Sequence, residues 1–422
     1  MSVVVERDII GIFGCMNAGK SSVLNCIVQY EASIVDSTPG TTADTKEVLC
    51  EIHEIGPVKL LDTAGIDEGG LLGEKKRKKV YDNLKECDCV ILVIDPSRNH
   101  YEYEKKLIDD ARNLHKQILI VFNIFTGESR EKINDIRNTI PALKFYDWIA
   151  IKANDTSYRN ALIQFIVTHY RPKSKEAPLI PFLKKDNFYV LIIPMDEETP
   201  KGRYLRPQAM VEEYITRNWS YPVSFRLNLK KARGTQKEKD EEYSRFVKFL
   251  SSIKHKPHCI FTDSQAIDVM GKWCPDDILL TTFSIIMINY QSDGRLKKFI
   301  EGVLVLESLP ENASVLIAEA CNHNRIAEDI GTVQIPKMLY NKYPNIKVDH
   351  ALGKVYVDVE DIKKYSLIIH CGGCMISRQA MIARLHDYEI AGVPYTNYGI
   401  FLSYMQGKKI FEKVLTPWLL NS

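Results

Sequence analysis

Between residue 1 and about residue 170, short β-branched, apolar runs alternate with longer stretches whose apolar positions recur every three to four residues. The runs at 8–13, 58–61, 89–95, 117–123 and 148–151 predict strands, and the stretches between them predict helices. This alternation predicts a doubly wound α/β domain over 1–172. The segment 171–178, Arg-Pro-Lys-Ser-Lys-Glu-Ala-Pro, is charged, aperiodic and bracketed by prolines, so it reads as a linker. A second α/β segment is expected over 179–261, with strands at 188–193 and 223–227, a helix at 208–217 and a charged stretch at 230–242 that reads as an insertion. A third spans 262–422, with strands near 314–319 and 366–370 and a helix at 378–388. No internal repeat or low-complexity tract interrupts the pattern.

Composition narrows the class. With 422 residues, 45% of them hydrophobic, the chain supports two or three domains with their own cores. Its 56 basic residues against 54 acidic ones leave a net charge of +2, which argues against a protein that coats nucleic acid. The run Lys75-Lys-Arg-Lys-Lys79 reads as the solvated start of a helix beside a loop. The longest apolar runs, 89–94 and 189–194, fall well short of the ~20 residues a membrane span needs. Residues 1–10 carry Glu6, Arg7 and Asp8 and read as a first strand, not a signal peptide. No membrane association is expected. Ten cysteines, several in expected core strands (Cys50, Cys89), fit reduced thiols in a cytoplasm.

The strongest local motif is Gly14-Cys-Met-Asn-Ala-Gly19-Lys20-Ser21. It fits G-x-x-x-x-G-K-[ST], follows an expected strand and opens an expected helix. In such a loop, backbone amides around Gly14, Asn17, Ala18 and Gly19 close on phosphates and Lys20 offsets the β/γ charge. Ser21 supplies a hydroxyl to Mg²⁺, with Ser22 following it at the helix start. Downstream, Leu61-Asp62-Thr-Ala-Gly65 ends a strand, where Asp62 suits the Mg²⁺ shell and the Gly65 amide suits sensing of the γ-phosphate. Between them, Pro39-Gly-Thr41-Thr42 offers Thr42 as the metal-sensing switch.

These parts, in this order, resemble a translation-factor-type GTPase domain. Asn17 together with the Pro-Gly-Thr-Thr switch is similar to the potassium-dependent GTPases related to the tRNA-modification GTPase. By that resemblance Asn17 helps hold K⁺ beside the phosphates, in place of an arginine finger. Simple capping of the loop is the alternative role for Asn17. Ile66 stands where Ras-like proteins carry a water-orienting glutamine, and its side chain cannot hydrogen-bond, so slow intrinsic hydrolysis is expected.

Base recognition departs from the pattern. Where Asn-Lys-x-Asp is expected after the strand at 118–122, the chain reads Asn123-Ile-Phe-Thr126. Asn123 remains a nucleotide-binding candidate, but a neutral hydroxyl at 126 replaces a bidentate carboxylate. The Ser-Ala contact to the base is here Lys152-Ala153. GTP is the expected ligand, with weakened base selectivity.

Near the C-terminus, Cys321-Asn-His323 and His370-Cys371-Gly-Gly-Cys374 each follow an expected strand, at the carboxyl ends where α/β sheets build sites. Thiolates and imidazoles suit Zn²⁺ or iron-sulfur iron, and the residues themselves leave both open.

The phosphate loop and Asp62-Thr-Ala-Gly65 are followed in order by Pro200-Lys-Gly-Arg203, Thr262-Asp-Ser-Gln265, Thr281-Thr-Phe-Ser284, Ala320-Cys-Asn-His323, His370-Cys-Gly-Gly-Cys374 and Thr396-Asn-Tyr-Gly399. This order resembles the HydF family of [FeFe]-hydrogenase maturation GTPases over nearly the whole chain. The resemblance implies an N-terminal P-loop GTPase domain, a middle α/β dimerisation domain and a C-terminal α/β iron-sulfur domain. It implies a [4Fe-4S] cluster on Cys321, Cys371 and Cys374, with His323 and His370 competing as fourth ligand. It further implies a homodimeric scaffold or carrier that takes a diiron precursor as cargo, made with two radical-SAM maturases, and passes it to apo-[FeFe]-hydrogenase. Nucleic acid is not among the expected partners. The competing expectation is a zinc-containing regulatory GTPase acting on RNA or ribosomes.

Overall fold

Strands buried on both faces need helices on both sides, and the first sheet is built that way. In the computed structural model, which describes residues 7–28, 46–63, 65, 71–126, 130–171, 177–194, 204–320, 329–353 and 357–419, the chain divides into two compact units, 1–174 and 175–422. Unit 1 holds a six-stranded sheet of β1 (Asp8–Phe13), β2 (Lys46–Ile52), β3 (Gly56–Asp62), β4 (Cys89–Ile94), β5 (Gln117–Asn123) and β6 (Trp148–Ile151), in the order β2-β3-β1-β4-β5-β6. All neighbours are parallel except β2, which pairs antiparallel with β3. The five expected strands are present. Cys50, expected in a core strand, lies instead in β2 at the sheet edge, where only Val48 and Ile52 of seven residues are buried and Cys50 itself is half-buried.

Unit 2 contains two four-stranded parallel sheets. The first comprises β7 (Phe188–Ile193), β8 (Tyr221–Arg226), β9 (Cys259–Thr262) and β10 (Leu279–Thr282) in the order β10-β9-β7-β8. It runs across the boundary expected at residue 261, since β9 straddles that position and β10 lies beyond it. The second comprises β11 (Ser314–Glu319), β12 (Lys347–Leu352), β13 (Leu367–His370) and β14 (Tyr395–Asn397) in the order β12-β11-β13-β14. One continuous hydrophobic core serves both sheets.

The charged stretch 230–242 is not an insertion. It opens the helix Gln236–Ser252, where Thr235 and Glu238 form a reciprocal capping box. Phe246 of this helix is fully buried, and the buried Glu242 accepts from the Asn228 amide at 2.8 Å. The polar residues are the outer face of an amphipathic helix. Among the described residues, no helix is long and apolar enough to cross a membrane.

Candidate functional site

Parallel strands deliver their following loops to one edge, so the carboxyl end of the first sheet gathers the phosphate loop after β1, Asp62 at the end of β3 and Asn123 at the end of β5. Two glycines are forced by close approach. A Cβ on Gly14 would stand 2.4 Å from the Val93 carbonyl oxygen, and one on Gly19, at φ +91°, would stand 2.0 Å from Asn123 Nδ2. Asn17 lies between them at φ +62°, a left-handed conformation asparagine tolerates better than most residues, with its side chain exposed.

Lys20 is buried and its ammonium donates to the carbonyls of Gly14 (3.1 Å) and Cys15 (2.8 Å). A Cβ on Gly65 would be 2.9 Å from Lys20 Nζ and 2.7 Å from the Met16 nitrogen, so Gly65 lies against the phosphate loop. Ser21 Oγ donates to Asp62 Oδ2 at 2.6 Å, while the buried Asp62 Oδ1 has no hydrogen-bond partner among the described residues. A hydroxyl beside a carboxylate with one orphaned oxygen is the donor set a Mg²⁺ ion takes. Asn123 Nδ2 donates to the Ala18 carbonyl at 3.0 Å and its Oδ1 accepts from the Ala153 amide at 3.1 Å. One side chain therefore ties the phosphate loop to the base-side loop. Thr126 is exposed, and Thr42 and Ile66 lie outside the described residues.

Sequence reasoning missed the wall behind this loop. Arg98 Nη1 donates to the Met16 carbonyl at 3.4 Å, from a turn held by Asp95 Oδ1, which accepts from Ser97 N (2.8 Å) and Ser97 Oγ (2.7 Å). Glu104 is fully buried beside Cys15, and burial pushes its carboxyl pKa up. Burial, with Glu104 next to it, pushes the Cys15 thiol up to about 12. The carboxyl-edge position after β4 was the available signal for Arg98; nothing in the residue pattern marked Glu104.

A second site lies in unit 2. β11 and β13 pair in parallel with Ala318 opposite His370, so the loops that follow both leave the same edge. Cys371 Sγ accepts from the Ala320 amide at 3.2 Å and from the Gly373 amide at 3.4 Å. The residue after Ala320 is Cys321, which lies, with His323, outside the described residues. His370 is fully buried. Its Nδ1 is 2.7 Å from the Cys371 carbonyl, and its Nε2 has no partner among the described residues. The Cys374 thiol is raised to about 11, first by burial and then by Cys371, against a lowering by Arg206. Among the described residues, no group of three or more His, Cys, Asp or Glu side chains is placed to hold a metal. The described part holds His370, Cys371 and Cys374 at the end of β13 and in the loop after it, and the two amide donors to the Cys371 sulfur are what a thiolate takes.

The scattered motifs converge around it. Asn397 Nδ2 donates to the His370 carbonyl at 3.3 Å, and its Oδ1 accepts from Ser284 Oγ (3.1 Å) and the Gly399 amide (2.9 Å). A Cβ on Gly399 would be 2.5 Å from Thr282 Oγ1 and 3.0 Å from Ser264 Oγ. Motifs at 262–265, 281–284, 370–374 and 396–399 thus share one neighbourhood, where the carboxyl edges of the two sheets meet.

Two family models cover the two sheets of unit 2 separately. Residues 179–292 match the hydrogen maturase F dimerization domain, and residues 297–417 match the hydrogen maturase F tetramerization domain. The chain belongs to the hydrogen maturase F family. Residues 9–124 match a model described as a 50S ribosome-binding GTPase, so this family member joins an N-terminal GTPase domain to the dimerization domain the HydF resemblance implied and to a C-terminal module described by tetramerization, where the resemblance implied an iron-sulfur domain. Among curated proteins, the tRNA modification GTPase MnmE of Lactobacillus gasseri is 38% identical over 132 residues, 30% of this chain and 27% of that protein. GTPase Der of a Nitratiruptor species is 32% identical over 123 residues, 29% of this chain and 26% of that one. The chain thus spans about a quarter of the length of these relatives. Among solved structures, Aquifex aeolicus Era bound to GDP·AlF4⁻ is 16% identical, covers 52% of this chain and 93% of its own, and has a TM-score of 0.34.

Proposed function

We propose that this maturase is a cytoplasmic, GTP-hydrolysing scaffold that carries an iron-sulfur cluster and delivers a diiron precursor to apo-[FeFe]-hydrogenase. Turnover rests on Lys20 against the β/γ-phosphates, on Ser21, Asp62 and Thr42 as Mg²⁺ ligands, and on the Gly65 amide at the γ-phosphate, with Gly14, Ala18, Gly19, Ser22 and Asn123 shaping the nucleotide site. Mg²⁺, when bound, neutralises charge developing on the phosphates. With Ile66 in place of a water-orienting side chain, hydrolysis is slow, and K⁺ held with the help of Asn17 accelerates it.

Cys321, Cys371 and Cys374 hold a [4Fe-4S] cluster, with His370 or His323 at the fourth iron. The buried His370 Nε2, without a partner among the described residues, supports His370 as one of these two candidates. The same scaffold would take the diiron precursor as cargo. The nucleotide state biases docking and release of cargo, of two radical-SAM maturases and of the hydrogenase, in a homodimer. The observation that carries this reading is the 3.2 Å contact of Cys371 Sγ with the amide of Ala320, the residue before Cys321. Anaerobic purification followed by iron, zinc and acid-labile sulfide analysis tests it. Iron and sulfide in equal amounts are expected; stoichiometric zinc without sulfide would point to a zinc-containing GTPase instead.

A further inference from the structure

The side chain of Arg206 crosses from one sheet's edge to the other's. It starts the helix Arg206–Arg217 that follows β7, and its Nη1 donates to the Cys374 carbonyl. Its backbone is held in place: Pro207 fixes the next φ, the Leu205 amide donates to Gln208 Oε1 at 3.0 Å, and the buried Gln208 donates in turn to Asp263 Oδ2 at 3.1 Å. Arg206 Nε is buried and has no hydrogen-bond partner among the described residues. Among the described residues, this half-buried guanidinium is set against the backbone of a cysteine pair with a donor left over beyond its carbonyl contact. The Asp263 carboxylate is already engaged by Gln208.

We propose that Arg206 is the charge-balancing residue of the cluster held by the cysteines, raising its reduction potential from the dimerisation segment. The inference rests on the iron-sulfur reading above. A thiolate-ligated cluster is anionic and gains one further negative charge when it takes up one electron. A fixed cation beside it stabilises the reduced form more than the oxidised one. Arg206 keeps its charge at every accessible pH, so its effect does not titrate. It acts through the field at the cluster and through the Cys374 backbone, and is therefore a positioning residue and not a ligand.

The test uses the full-length chain, reconstituted anaerobically, as wild type, R206K and R206Q, with EPR-monitored dithionite titration. Glutamine retains an amide donor for the Cys374 carbonyl but loses the charge; lysine retains the charge. The expected result is a shift to more negative potential in R206Q, with R206K close to wild type and iron and sulfide content unchanged in both. Loss of cluster from R206Q with iron and sulfide kept in R206K would overturn the potential-tuning role in favour of a purely structural one. An unchanged potential in R206Q, or an equal shift or equal cluster loss in both variants, would also overturn the potential-tuning role. Absence of iron and sulfide from the wild type would instead remove the iron-sulfur reading itself.

Discussion

Ser21 Oγ donates to Asp62 Oδ2 across 2.6 Å, joining the end of the phosphate loop to the end of β3. The second carboxylate oxygen is buried and has no partner among the described residues, so the pair is arranged for a cation. D62N removes the charge while keeping the shape. Its kcat for GTP is expected to fall by roughly 10²-fold or more at saturating Mg²⁺, by analogy with other losses of transition-state charge stabilisation. Steady-state phosphate release against Mg²⁺ concentration checks this, and an unaltered Mg²⁺ dependence would count against the assignment.

Asn17 combines an exposed amide with a left-handed backbone. N17G keeps the backbone accessible and deletes the amide, so it separates cation binding from loop shape. Turnover in K⁺ should drop to the level seen in Na⁺, while GTP affinity changes by less than roughly threefold, a difference under ~1 kcal/mol. Equal K⁺ stimulation in N17G and wild type would return Asn17 to a purely conformational role.

The described strands show which parts of the fold were readable from sequence. β1, β4, β5 and β7 are continuous apolar runs, buried almost end to end, and periodicity marks such segments directly. β2, around Cys50, is an edge strand with two buried residues and not the core strand expected there, and β12, an edge strand with none of its residues buried, was announced by no pattern. The helix Gln236–Ser252 was obscured by its charge, since only a narrow face around Phe246 faces the core. At the sites, motif residues were legible because chemistry restricts their type. Arg98, Glu104, Arg206 and the linking contacts of Asn397 were not, because each acts through a tertiary neighbour tens to hundreds of residues away.

Glu104 gives a pH prediction. Burial raises its pKa above the ordinary carboxylate value, so the folded state prefers it protonated. The stability tied to this group is complete below the unfolded pKa and is lost as pH rises through the raised folded value. E104Q mimics the protonated form. It should therefore raise the GTPase domain's Tm at pH 8, by about 2–4 °C per kcal/mol recovered, with the gain shrinking toward pH 4. Thermal unfolding of both chains across that range checks it; a gain largest at pH 4 would reverse the sign of the argument.

Thr126 stands exposed where a carboxylate would read guanine. T126D restores a charged acceptor, and a charge-assisted pair of ~1.5–3 kcal/mol corresponds to roughly a 10- to 100-fold gain in preference for GTP over ATP. Competition between the two nucleotides for binding measures it. An unchanged ratio would place base recognition elsewhere.

The most direct test of the three-cysteine centre is the EPR signal of the dithionite-reduced chain, reconstituted anaerobically, in C321S, C371S and C374S and in the controls C259S and C274S. The controls alter buried thiols in and beside the neighbouring sheet. Each of the first three replacements should lose most of the iron, the sulfide and the signal, while the controls keep them. Full retention in any of the first three, or equal loss in the controls, would contradict a cluster held jointly by the loops after β11 and β13.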